Sequence, residues 1–149
     1  MQVGGKNYLI PVDAQIRMES EIEFESVDVG RLLAQMENAK SKVNIVMLDA
    51  CRDNPFARSF RSDSQGLAKM APPQGSYIAF ATAPGALAAD GGGRNGIFTE
   101  CLLTNLKIPG LKIEDVMKRT RIGVAHATNN KQLPWDSSSL MGDFYFVPE

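Results

Sequence analysis

Two side chains in the run Asp49-Ala50-Cys51-Arg52-Asp53-Asn54-Pro55 have the types and spacing to do chemistry together. A cysteine acts through its thiolate, which attacks an electrophilic carbon and forms a covalent intermediate. Asp49 stands two residues earlier, and in an extended strand that spacing turns both side chains to the same side. A carboxylate beside a thiol raises the thiol's pKa, so Asp49 does not activate Cys51. Its simplest use is to hold a cationic group of a substrate. Without further context, a cysteine near a strand end is more often an inert, buried small hydrophobe. The second thiol, Cys101, lies 50 residues on, and the single histidine is His126. A disulfide is possible on count alone, but a chain with a good core needs no such staple. One histidine and two separated cysteines do not build a zinc site.

The residues before Cys51 read as the elements that position it. Residues 43–48 form a continuous β-favouring run, the pattern of a strand buried on both faces, and Cys51 follows directly. In open parallel sheets, ligands bind beyond the carboxyl ends of the strands, which is where this places the thiol. Upstream, residues 7–12 read as a short extended segment with Pro11 at an edge or bend, followed by a solvated acidic loop over 19–25. Ser26 is a candidate N-cap, with Asp28 in the first turn of the helix it starts. Val29, Leu32, Leu33 and Met36 then repeat as the apolar stripe of a core-facing helix.

Beyond Cys51, residues 52–75 form a long polar connection, the kind that is often functional or mobile. Residues 76–83 are a second buried-strand candidate, and 90–96 a flexible tip. Helices are predicted over 97–106, with Phe98, Cys101, Leu102 and Leu106 inward, and over 113–128. The second has Glu114 and Asp115 in its first turn and basic residues later, matching the helix dipole. Residues 140–147 are predicted as the closing strand. Strands alternating with helices imply an α/β layered domain with a largely parallel sheet.

Composition fits one domain spanning 1–149. Apolar residues make up 44%, enough to fill a core, and 16 basic residues nearly cancel 17 acidic ones. That balance does not suggest nucleic acid or an anionic membrane as a partner. No apolar run is long enough for a transmembrane helix, and the first residues lack the charged and apolar segments of a secretory signal.

The stretch from Asn44 to Phe56, Asn-Ile-Val-Met-Leu-Asp-Ala-Cys-Arg-Asp-Asn-Pro-Phe, strongly resembles the nucleophile segment of bacterial caspase-like cysteine peptidases, relatives of the metacaspases. Gly5-Lys6-Asn7-Tyr8-Leu9-Ile10-Pro11-Val12-Asp13-Ala14 resembles the family segment that follows its catalytic His-Gly pair. Tyr77 to Gly85, Ala89-Asp90-Gly91 and Asn95-Gly96-Ile97-Phe98-Thr99 resemble the next strand, loop and helix. Gln132, Pro134, Trp135 and Ser137 to Leu140 resemble the segment before the last strand.

The resemblance implies a caspase-like, Rossmann-like three-layer α/β/α sandwich with a mostly parallel sheet whose N-terminal strands are absent from this chain. It implies a Cys–His dyad that cleaves peptide bonds in a peptide or protein substrate. The thiolate of Cys51 attacks the carbonyl, an imidazole protonates the leaving amine, and the Cys51 backbone N–H contributes to an oxyanion hole. Asp49 occupies the position that is Gln in caspases proper and Asp in metacaspases, which cleave after Arg or Lys. Charge complementarity gives the same basic-residue preference. Asp90 matches a family aspartate and is a second candidate for the substrate cleft. Residues 52–75 correspond to the linker between large and small subunits, which makes Arg58, Arg61 and Lys69 candidate self-cleavage sites.

The caspase pattern places its histidine about 50 residues before the cysteine. None of the 50 residues preceding Cys51 is a histidine, and the family's His-Gly would fall immediately before Met1. On a helix starting at Ile113, His126 falls nearly opposite the apolar face and so points to solvent. The chain alone is therefore expected to be inactive, with the histidine supplied by a missing N-terminal segment or a second chain. A truncated sequence is the favoured explanation. A split enzyme and a non-catalytic interaction module on the same fold are the alternatives. The strand holding Cys51 is then an open sheet edge, which favours a homodimer or pairing with the missing segment. No cofactor is expected. Asp13, Glu19, Glu21, Glu23 and Glu25 are of the type that attracts calcium, an activator of many metacaspases, but solvated acidic loops are far commoner. Gly91-Gly92-Gly93 belongs to no nucleotide motif, and Trp135 reads as an anchor of the final strand.

Overall fold

The computed structural model describes residues 1–49, 67–84, 86, 88 and 92–149. Strands β1 (Gln2–Val3) and β2 (Lys6–Leu9) form an antiparallel hairpin, with Val3 opposite Lys6. The two-residue turn between them is Gly4-Gly5, with φ of +55° and +78°, a left-handed pair that glycine adopts without steric cost. Strand β3 (Val27–Asp28) pairs with the other edge of β2, Leu9 opposite Val27, completing an antiparallel sheet in the order β1-β2-β3.

The acidic stretch between β2 and β3 is more ordered than the solvated loop expected. A 3-10 turn, Glu19–Glu21, leads into a one-turn helix α1 (Ile22–Glu25). Its driving force is one residue: Ile22 is buried against Tyr8 and Ile16, while Glu19, Glu23 and Glu25 stay exposed. Glu21 accepts the backbone N–H groups of Arg17 and Met18 at 2.6 and 3.1 Å, and these bonds hold its carboxyl below the usual range.

Helix α2 (Val29–Asn38) is capped by Asp28, whose side chain accepts the Gly30 N–H at 2.7 Å. Ser26 is not the cap. Its hydroxyl donates back to the Ile22 carbonyl, because residues 27–28 are spent on β3 and the helix starts only after them. Three of the four stripe residues pack as the periodicity predicts, Val29 and Leu33 buried and Met36 beside them, while Leu32 is half-buried.

The second sheet consists of β4 (Asn44–Leu48), β5 (Ser76–Phe80) and β6 (Trp135–Ser138), in that order. β4 and β5 are parallel, Leu48 opposite Phe80, whereas β5 and β6 are antiparallel, Phe80 opposite Trp135. Among the described residues this sheet is therefore mixed, with one parallel and one antiparallel pairing. Every residue of β5 is buried, and its alternation explains why. Ile78 and Phe80, with Val46 and Leu48 of β4, pack against α2. Tyr77 and Ala79 pack on the other face against helices α3 (Ile97–Leu106) and α4 (Ile113–Ala127). Among the described residues, β4 has no strand on its outer edge.

The last strand lies earlier than its pattern suggested, at 135–138 and not at 140–147. Leu140, Phe144 and Phe146 alternate like strand residues, but they cover the α3–α4 core from an irregular segment. Phe144 and Phe146 meet edge to face, centroids 5.1 Å apart, and a single bridge joins Tyr145 to Lys112. Where α3 meets α4, Cys101 packs over Gly123; a Cβ on Gly123 would stand 3.1 Å from the sulfur. No described helix is long and apolar enough to cross a membrane.

Candidate active site

Because β4 and β5 are parallel, both deliver their carboxyl ends to the same end of the sheet. The ladder continues one step past them, with the Ala81 N–H donating to the Leu48 carbonyl at 3.0 Å. Asp49 is the next residue of β4's chain, and it is exposed. Its Oδ2 accepts the hydroxyl of Thr99, which lies in the first turn of α3, 50 residues away in sequence. Gly96, the residue before that helix, leaves room for the carboxylate: a Cβ there would lie 3.0 Å from Oδ2 and 3.5 Å from Oδ1. The positive end of the α3 dipole also favours a carboxylate at this spot.

Cys51 and Asp90 lie outside the described residues, as do Arg58, Arg61 and Gly91. Lys69 is described and exposed, next to a clasped residue: Asn7 Nδ2 donates to the Ala68 carbonyl at 2.8 Å and Asn7 Oδ1 accepts the Ala68 N–H at 2.7 Å. Leu67 and Met70 pack against the α2 cluster on either side of it. His126 is exposed on α4, as its helical position predicted. Cys101 is half-buried, and burial, with a smaller contribution from Glu100, pushes its thiol up. That environment suits an inert thiol, not a nucleophile. Among the described residues no group of three or more His, Cys, Asp or Glu side chains could hold a metal ion.

Several polar residues that fix this end of the sheet carry no periodic signal. Gln132 is buried, and its Nε2 donates to the Ala81 carbonyl at 2.8 Å, tying the segment after α4 to the exit of β5. Thr82, the next residue, is buried with no hydrogen-bond partner for its hydroxyl among the described residues. Arg121 of α4 pairs with Asp136 of β6 and donates from Nε to the Pro134 carbonyl at 2.9 Å. Asp136 Oδ2 also accepts the hydroxyl of buried Tyr77 at 2.8 Å, so one carboxylate joins β5, β6 and α4. Trp135 opens β6 at 40% exposure, a member of the strand more than a buried anchor of it.

A cleft of about 380 Å³ lies at the opposite, amino ends of β4 and β5, lined by residues that include Lys42, Val43, Gln74, Gly75 and Met141. It is remote from Asp49. No curated protein matches the chain. The family model of the caspase domain, by contrast, matches residues 1–145, nearly the whole sequence. With an α/β fold that ends β4 just before an Asp-x-Cys segment, the chain belongs to the caspase-domain family of cysteine peptidases.

Proposed function

We propose that this domain is the nucleophile-bearing part of an endopeptidase that cleaves after Arg or Lys. Cys51 is the nucleophile, and its partner imidazole comes from outside these 149 residues. The observation that carries the reading is Asp49: an exposed carboxylate at the carboxyl end of β4, two residues before the cysteine. Such a group attracts a cationic side chain and repels an acidic one. His126, the only histidine, is exposed on α4 and is not assigned to the reaction. The thiolate attacks the scissile carbonyl, the imidazole gives its proton to the leaving amine, and water then hydrolyses the thioester. Among the described residues the outer edge of β4 pairs with no strand, which fits a three-layer domain whose fuller, mostly parallel sheet is completed by further strands from an upstream segment or a second chain.

The test compares reporter peptides ending in Arg, Lys and Asp, using the domain together with a histidine-bearing partner segment. Cleavage of the first two and not the third is expected. Cleavage after Asp alone would reject the basic specificity, and basic cleavage retained by Cys51→Ala would reject the nucleophile. A non-catalytic interaction module is the second reading, favoured by the absence of any histidine other than the exposed His126. It predicts no turnover even when the partner segment is present.

A further inference from the structure

We infer that Thr99 and Gly96 are positioning residues for the Asp49 carboxylate, and that the fixed carboxylate favours arginine over lysine in the substrate. The inference rests on the reading of Asp49 as the group that meets the basic side chain.

Two independent features of α3 converge on that carboxylate. The Thr99 hydroxyl donates to Oδ2, which restrains rotation of the carboxylate plane. Gly96 supplies the space: its φ is −63°, a value open to any residue, so backbone strain does not explain a glycine there. What a side chain at 96 would meet is Asp49, with its Cβ 3.0, 3.5 and 3.6 Å from Oδ2, Oδ1 and Cγ. Gly96 is also the N-cap of α3, a position glycine commonly takes although it offers no side-chain cap. Among the described residues, Oδ1 accepts no hydrogen bond.

Orientation matters unequally to the two basic side chains. A guanidinium is planar and donates paired N–H groups, so it reads the plane of a carboxylate as well as its charge. An ammonium is a compact charge with rotatable donors and tolerates a turning carboxylate. A restrained Asp49 therefore benefits Arg more than Lys, and freeing it costs Arg more.

The test measures binding of fluorescent peptides ending in Arg, Lys or norleucine to the Cys51→Ala chain, which cannot turn them over. Thr99→Val keeps the shape of Thr99 and removes the hydroxyl. It should weaken the Arg peptide about five- to tenfold, through lost alignment of the carboxylate with the guanidinium, and the Lys peptide about twofold or less. Thr99→Ser should restore the Arg affinity. Gly96→Ala should reproduce the same order of losses by displacing the carboxylate. Melting curves for each variant confirm that the chain is folded. An unchanged Arg-to-Lys ratio in Thr99→Val, or equal losses for all three peptides, overturns the positioning role while leaving a basic pocket in place. Arg and norleucine peptides that behave alike on the parent chain overturn the basic pocket itself, and the positioning role with it.

Discussion

The side chain of Asn7 grips the backbone of Ala68 at both of its polar groups, donating to the carbonyl at 2.8 Å and accepting from the N–H at 2.7 Å. A buried amide thus behaves like one rung of a β-ladder, joining the N-terminal sheet to the far end of the long connection after Cys51. Asn7→Ala removes two hydrogen bonds and is expected to cost about 2 kcal/mol in urea unfolding. It should also speed tryptic cleavage after Lys69, because the neighbouring backbone is no longer held. Unchanged stability and an unchanged nicking rate would show that the clasp contributes nothing.

The Tyr77 phenol is pushed up by burial first and by its bond to Asp136 second. Its protonated form is therefore favoured in the folded state. The stability this contributes is complete below the ordinary tyrosine value of about 10 and is lost as pH rises above it, where only the unfolded chain ionises freely. Tyr77→Phe should lower stability at neutral pH and flatten its decline above about pH 10. Denaturant titrations from pH 8 to 11 check this; identical slopes for parent and variant would contradict it.

Helices α3 and α4 meet where Cys101 covers Gly123. Gly123→Val places branched carbon where the sulfur already sits, and should destabilise by about 1–3 kcal/mol through overpacking. Adding Cys101→Ala should recover part of that loss, a coupling visible in a double-mutant cycle. Additive losses would mean that the two positions do not share the space.

Much of this architecture is legible in sequence because it is periodic. The stripe beginning at Val29, the inward set Phe98, Cys101 and Leu102, and the face from Ile113 to Val124 each repeat at helical spacing, and each lies where it was expected. The unbroken apolar run ending at Leu48 likewise marks β4. Short elements escaped. Gly4-Gly5 carries the hairpin, two residues of β3 displace the cap from Ser26 to Asp28, and one buried Ile22 turns an acidic loop into a helical turn. The alternation of Leu140, Phe144 and Phe146 misled because a loop can cover a core as a strand does. At the candidate site, Asp49 could be read from its distance to Cys51, but Thr99 could not. Their contact spans 50 residues and depends on how α3 packs against the sheet, which no local pattern records.

The most direct measurement is to locate the adduct of a peptidyl-arginine acyloxymethyl ketone by mass spectrometry. The probe is applied to the domain joined with a histidine-bearing partner segment. The thiolate displaces the carboxylate leaving group and leaves a stable thioether on the reacting cysteine. The account predicts modification at Cys51, lost in Asp49→Ala and absent with a norleucine version of the probe. Modification at Cys101, or labelling of Cys51 that ignores the probe's basic side chain, would contradict it.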